Sequence, residues 1–444
     1  MSDPRPWTGR RLHFVGIGGV GMSGYATASA QLGATVTGSD RAPSPALDRL
    51  VAAGIDARAG HDAAQLPDGG DVEVVVSSAI GDGNPEIAAA RERGLRVMPR
   101  ADLLGELSAL RRTIAIAGAH GKTTTSSMTA HVLLGCDMDP GYLIGGELRS
   151  TGLGAAWGTG EWLVVEADES DRSMLSLHVE VAVVTNVELD HHATYGSLAE
   201  VRDVFRTFLA TPPHAVILDR PELLELRPAG DTVAYEARDL RLDASGSQMT
   251  WRGHEVQLTV PGEHNARNAV AALEAARLAG APEAQAVAAI ATFTGAGRRF
   301  ERLGTTPSGA VVVDDYAHHP TEIAATVAAA RTLAPGRLVA VFQPHLFSRT
   351  QHLAGAFGRA LAAADVVCVV DVYPARERAE DFPGVSGLTV AEAVVDAGGG
   401  ADVLWLPTFD AAQRVLAGRL RAGDLCLILG AGDVRALGER LVAE

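Results

Sequence analysis

Cysteine is scarce in this chain: three stand among 444 residues, Cys136, Cys368 and Cys426. An odd, sparse set cannot build a disulfide framework, and its spacing makes no metal site, so all three are expected as buried thiols in a reducing cytosol. Positive charge is also short. Against 54 Asp+Glu there are 38 Lys+Arg, a formal net charge of −16. That argues against a nucleic-acid partner, because a polyanion needs a basic face. No run of about 18 apolar residues exists, so nothing is expected to insert in a membrane. The first eleven residues are polar and proline-bearing with no apolar run behind them, so no signal peptide is expected and the cytoplasm is the expected compartment.

What is present is enough for a large α/β protein. The length allows about three domains at ~100–200 residues each, and 47% hydrophobic residues can fill their cores. Short β-branched runs alternate with Ala/Leu-rich stretches, which reads as βαβ units and parallel sheets. Strands are expected at 12–16, 35–38, 73–77, 113–117, 162–167, 181–185, 215–218, 310–314, 338–342, 366–371 and 425–429. Residues 239–260 read as a short β insertion, with 248–251 and 255–260 around a turn at Arg252-Gly253-His254. Domain joints are expected near 110–112 and 296–306. Almost every unusual polar cluster follows the carboxyl end of an expected strand, where open α/β sheets bind their ligands.

The first cluster is Gly16-Ile17-Gly18-Gly19-Val20-Gly21-Met22-Ser23-Gly24. Such glycines let the backbone turn tightly against a pyrophosphate that rests on the next helix N-terminus. Ser39 and Asp40 close the second strand, where an acid can meet a ribose hydroxyl. Ser77 and Ser78 end another strand and line the same cleft, and His61 is a weaker candidate. Taken alone, this pattern also suits a nicotinamide-dependent oxidoreductase, or glycines needed only for packing.

The second cluster is Gly118-Ala119-His120-Gly121-Lys122-Thr123-Thr124-Thr125, between a strand and a helix. Backbone N–H groups of such a loop cradle phosphates, Lys122 pairs with β/γ oxygens, and Thr123 can ligate Mg²⁺. The loop is shorter at its first glycine than the full phosphate-loop pattern. Glu166, Asp168, Glu169 and Asp171 follow one strand; four acids in six residues repel one another without a cation. Glu166 is the best Mg²⁺ ligand among them. Asn186, Glu188, Asp190, His191 and His192 follow another strand, and on chemistry alone His191 suits zinc or acid–base work equally. His264 and Asn268 share one helix face, and an Asn amide can read an adenine edge; Asn265 capping is the plainer alternative. Arg299 can clamp a phosphoryl group. The run from Asp314 to Glu322, which includes Asp315, is dense in chemistry; Tyr316, His318, His345 and Arg349 gather the groups that suit an amino acid's carboxylate and amine, and Pro320 fits the first position of a helix.

These motifs, in this order and over nearly the whole length, resemble the Mur ligase family, and within it the branch that adds L-alanine. The resemblance implies three domains. Residues 1–108 form a Rossmann-like UDP-substrate domain, 109–299 a P-loop-type central ATPase, and 300–444 a Rossmann-like amino-acid domain. It implies that ATP phosphorylates the carboxylate of UDP-N-acetylmuramate and that the amine of L-alanine displaces phosphate, a step of peptidoglycan precursor synthesis. The glycine loop from Gly18 to Ser23, with Ser39, Asp40, His61, Ser77 and Ser78, then holds UDP rather than NAD. The loop from Gly118 to Thr124 holds ATP phosphates, while Thr123, Glu166 and His191 hold Mg²⁺. His264 and Asn268 face adenine, Asp315 the ATP ribose, and Arg299 the γ-phosphate. Tyr316, His318, His345 and Arg349 line the amino-acid pocket; Lys122, Glu166, His191, Arg299, His345 and Arg349 are the expected catalytic set. A monomer or homodimer is expected. A peptide-recycling relative acting on the same sugar acid is the alternative. Three residues depart from the family pattern: Ala119 for Thr, Ala317 for Gly and Leu346 for Arg. The run Ala193-Thr194-Tyr195-Gly196 lacks the modified lysine of later branches.

Overall fold

In a computed structural model, described for residues 5–190, 194–227 and 230–443, the chain folds into two compact units. Met1–Glu236 with Asn268–Ile290 form one, and Ala237–Arg267 with Ala291–Glu444 the other. The first unit carries two sheets. One is five-stranded and wholly parallel, in the order Asp56–Ala59, Thr35–Asp40, Arg11–Val15, Val72–Val76, Arg96–Pro99. Its first strand in sequence is central and pairs with the second and fourth strands of the chain, so the crevice for a ligand opens at the carboxyl end of Arg11–Val15. Leu12, Phe14 and Ile17 are buried beneath the helices Val20–Gln31 and Arg100–Ala109, whose Leu103 and Leu107 are also buried.

The other sheet of this unit has seven strands. Their order is Asp231–Tyr235, His214–Leu218, Val181–Val184, Arg112–Ala117, Trp162–Glu166, Gly141–Leu148, Leu153–Ala156, with only the last pair antiparallel. Its central strand is covered on both faces, so Ile114, Ala115, Ile116 and Ala117 are all fully buried and read as a continuous apolar run. The helix Lys122–Gly135 leaves that strand's carboxyl end.

In the second unit, Arg238–Asp243, Gly246–Trp251 and His254–Leu258 form an antiparallel sheet. A six-stranded sheet follows in the order Glu301–Thr305, Val311–Asp315, Asp424–Leu429, Arg337–Phe342, Val366–Val369, Asp402–Trp405, parallel except for its first strand. All three cysteines are free and buried, and burial pushes the Cys368 thiol up to about 12. Among the described residues no helix is long and apolar enough to cross a membrane. The architecture is that of three α/β domains built on parallel sheets.

Candidate active site

The glycine loop is fixed by the strand beside it. Gly16 turns the chain with φ +83°, and the amides of Gly16 and Ile17 donate to Ser39 O at 2.8 and 2.9 Å. The Gly18 amide donates to Asp40 Oδ2 at 2.8 Å, and a Cβ on Gly18 would lie 3.0 Å from the same oxygen. Asp40 thus clamps the loop as well as closing its strand. A Cβ on Gly16 would meet Ser77 Cβ at 3.2 Å, which puts Ser77 beside the loop, while Ser78 is exposed. Met22 and Ser39 turn their side chains inward. Met22 packs in the core, and the Ser39 hydroxyl donates to Glu86. Glu86 is fully buried and also takes His13 Nε2 at 2.7 Å and His61 Nδ1 at 2.9 Å. Burial alone would raise its pKa; hydrogen bonds from His13, Ser39 and His61 outweigh that and keep it ionised. A carboxylate only accepts, so His61 has its Nδ1 proton set from within.

The phosphate loop is held from outside by the residues after Val181–Val184. Thr185 Oγ1 and Asn186 Nδ2 donate to His120 O at 2.6 and 2.9 Å, and the His120 amide donates back to Asn186 Oδ1 at 2.9 Å. Gly118, at φ +143°, has no room for a side chain, because a Cβ would collide with Thr185 Oγ1. Lys122 opens the helix, and its Nζ donates to Gly118 O at 2.6 Å and to Glu169 at 2.9 and 3.0 Å. Burial would lower its pKa, but Glu169, Asp168 and Glu166 hold the ammonium well above its usual value. Thr123 Oγ1 donates to Glu166 Oε1 at 3.1 Å, and the Gly145 amide donates to Glu166 Oε2 at 2.8 Å. A Cβ on Gly121 would stand 2.8 Å from Asn268 Oδ1, so that amide lies directly over the loop. Thr124 is buried in the first turn, and Ala119 adds only a methyl group. His191 lies outside the described residues.

The acidic turn does not stand without cations. Lys122 takes Glu169, and Arg100 takes the other two acids. Arg100 Nε donates to Asp171 Oδ2 at 2.8 Å, and Nη2 reaches Asp171 at 2.6 Å and Asp168 at 3.1 Å. Sequence reasoning passed over Arg100. The strand it follows, Arg96–Pro99, was not among those expected; it opens a helix, where a cation faces the unfavourable end of the dipole.

In the second unit, Arg299 lies between two residues with left-handed backbone, Arg298 (φ +57°) and Phe300 (φ +48°). Arg298 Nε and Nη2 reach Asp314 and Gly430 O at 3.2 and 2.9 Å. Both guanidinium groups lie over the Tyr316 ring, at 4.7 and 5.2 Å. Asp315 uses both carboxylate oxygens on backbone amides, those of Phe300 and Ala317, each at 2.8 Å. It shapes the arginine linker, and burial pushes its pKa up to about 6. The rings of Tyr316, His318, His345 and Tyr373 form a row, with centroids 5.5, 6.0 and 5.7 Å apart. Tyr373 escaped sequence reasoning because no motif surrounds it. Arg349 is buried in the first turn of Phe347–Leu361, and Leu346 before it has φ +69°. Burial lowers His264 to about 4, so its ring is neutral at pH 7.

Comparison with known proteins bears on what these sites serve. Three family models match in succession: "Mur ligase family, catalytic domain" over residues 11–112, "Mur ligase middle domain" over 116–276, and "Mur ligase, glutamate ligase domain" over 298–432. The chain belongs to the Mur ligase family. Members are ATP-dependent ligases, which removes the oxidoreductase reading of the glycine loop. This Mur ligase is 45% identical to the UDP-N-acetylmuramate–L-alanine ligase of Acidithiobacillus ferrooxidans, over 98% of the chain and 97% of that protein. Its fold matches the crystal structure of a UDP-N-acetylmuramate–alanine ligase from Thermotoga maritima (TM-score 0.82, 28% identity, 98% of each chain). It also resembles a murein peptide ligase from Psychrobacter arcticus (TM-score 0.73, 26% identity, 98% of each chain).

Proposed function

We propose that this Mur ligase joins L-alanine to the carboxylate of UDP-N-acetylmuramate in the cytoplasm, through an acyl phosphate, as a step of peptidoglycan precursor synthesis. The observation that carries this reading is that one unit holds two anion cradles, the glycine loop clamped by Asp40 and the phosphate loop with Lys122, joined by one acidic turn. The division at 1–108, 109–299 and 300–444 is retained as the domain assignment. Gly18, Gly19 and Gly21 receive the UDP diphosphate and Asp40 its ribose side, while the phosphate loop receives ATP.

The residues at the phosphate loop suit Mg²⁺. The Thr123 hydroxyl and Glu166 carboxylate are hard oxygen donors already in contact, with His191 as the further ligand. Bound there, the ion would neutralise charge on the phosphate oxygens. Lys122 releases Glu169 and takes γ-phosphate oxygens, and Arg299 supports the charge that develops on the transferring group. The sugar carboxylate attacks the γ-phosphorus and ADP leaves. The alanine amine then attacks the acyl carbon, phosphate leaves with its electron pair, and the amine's proton passes to a ring of the His318/His345 pair. Arg349 holds the alanine carboxylate.

The test is phosphate release with each substrate omitted in turn. Release that requires ATP, UDP-N-acetylmuramate and L-alanine together is expected. Release supported by a peptide but not by L-alanine would establish the peptide ligase instead, the reading that the Psychrobacter arcticus likeness keeps in play.

A further inference from the structure

Arg100 sits where a cation costs stability. It is the first residue of Arg100–Ala109, at the positive end of that helix, and it also lies against the first turn of Val20–Gln31. Its Nη1 is 3.1 Å from where a Cβ on Gly21 would stand. Two helix N-termini and a guanidinium repel one another unless an anion joins them. Part of that anion is internal. Asp171 and Asp168 take Nε and Nη2, and their far oxygens are turned back on the amides of Ser173 and Ser170. The side chain is 17% exposed, so it is held rather than free to range.

The remaining nitrogen is the informative one. Among the described residues Nη1 makes no hydrogen bond to a carboxylate or a carbonyl, and it is the nitrogen directed at the glycine loop, with the Tyr25 hydroxyl as its neighbour there. A guanidinium fork has five donors, and here its inner edge is satisfied while its outer edge faces the first turn of the loop helix. The arrangement repeats that of Lys122, where an acid from the same turn holds the cation of the other cradle. Had the role been only to tie the acidic turn in place, the outer edge would need no opening toward Gly21.

We infer that Arg100 is a substrate-binding residue whose Nη1 donates to an anionic group of the UDP-sugar acid, while Asp168 and Asp171 fix the fork in position. This rests on the glycine loop being the UDP-sugar site. The anion is a diphosphate oxygen or the sugar's carboxylate, and both are oxyanions that accept charge-assisted hydrogen bonds from a guanidinium.

Titration calorimetry of the full chain decides it, with UDP-N-acetylmuramate, UDP-N-acetylglucosamine (the same diphosphate without the carboxylate) and ATP as ligands. Wild type, Arg100→Gln and Arg100→Lys are compared. The expected result is at least ~10-fold weaker UDP-N-acetylmuramate binding in Arg100→Gln, partial recovery in Arg100→Lys, and unchanged ATP binding. Matching loss for UDP-N-acetylglucosamine assigns the diphosphate, and loss confined to UDP-N-acetylmuramate assigns the carboxylate. If both variants bind both sugars as wild type does, with only a lower melting temperature, Arg100 is structural and the inference fails. If wild type itself binds neither sugar, the site reading fails instead. Should Arg100→Gln not fold, Arg100→Lys, which keeps the charge, still gives the comparison.

Discussion

Lys122 is the only lysine in the chain; every other basic residue among the 38 is arginine. The geometry gives a reason for the exception. Nζ reaches Gly118 O at 2.6 Å inside the loop's own curve, a space for a compact ammonium and not for a planar fork. Lys122→Ala and Lys122→Arg are therefore both expected to lower phosphate release by at least ~10²-fold. UDP-sugar affinity is expected to fall far less, since Asp168 and Asp171 still hold Arg100 when Glu169 loses its partner. Steady-state phosphate assays with a parallel sugar titration check this, and an active Lys122→Arg protein would refute it. The same scale explains Ala119. The position that lacks a hydroxyl sits in a loop whose shape comes from Thr185 and Asn186, so the cradle does not depend on it.

At the scale of elements, the strand-end rule located both loops, yet the way each loop is held lies in a neighbouring strand. Gly118 has its φ of +143° because Thr185 and Asn186 press against it from the end of Val181–Val184. Gly118→Ala combines a collision with a backbone strain of about 1–3 kcal/mol. Turnover should fall by roughly 10–100-fold, at about 1.4 kcal/mol per tenfold, with a lower melting temperature. A Gly118→Ala enzyme with wild-type ATP affinity and turnover would show that the loop relaxes freely. Apart from His254–Leu258, an edge strand of the small antiparallel sheet, the strands legible in the sequence were the covered ones. Asp56–Ala59, Arg96–Pro99, Leu153–Ala156, Asp231–Tyr235, Glu301–Thr305 and Asp402–Trp405 were not foreseen, and all are edge strands. An edge strand has one flank without a partner and less burial, so it carries no continuous apolar run. Gly141–Leu148, also missed, carries Gly145 where Glu166 leaves no room for a side chain. The turn in the β insertion is tighter than expected. His254 belongs to the strand, leaving Arg252 and Gly253, both at positive φ, as the turn.

For the molecule as a whole, two buried groups of the second unit make opposing contributions to the pH dependence of stability. His264 has its pKa depressed to about 4, by burial first and by Arg267 and Arg299, against Glu322. A depressed folded pKa means that the unfolded chain takes up the proton first, so this contribution is full above about pH 6.5 and is lost as pH falls toward 4. Asp315 is raised to about 6, and its contribution runs the other way, lost as pH rises from about 4 to 6. His264→Gln removes the first and leaves the second. Relative to wild type, the variant should gain stability on going from pH 7 to pH 4.5, by up to roughly 3 kcal/mol, because each tenfold change in proton affinity between the folded and unfolded chain is worth about 1.4 kcal/mol. Urea unfolding at a series of pH values measures it, and a difference that does not change with pH would mean that His264 titrates normally.

Local chemistry determined a good deal without tertiary structure. The alternation of apolar runs pointed to parallel α/β sheets, and glycines before a helix pointed to two candidate phosphate cradles. The order of motifs pointed to the family that the comparisons bear out. Pairing across distant segments was decided only by the fold. Asp40 reaches back to the Gly18 amide, and Glu86 sets the proton of His61. Arg100 and Lys122 share one acidic turn, and Asp315 uses its oxygens on the arginine linker. Each contact depends on which strands lie side by side. Sheet order is set by how buried faces pack, so it is not a property of any single stretch of chain.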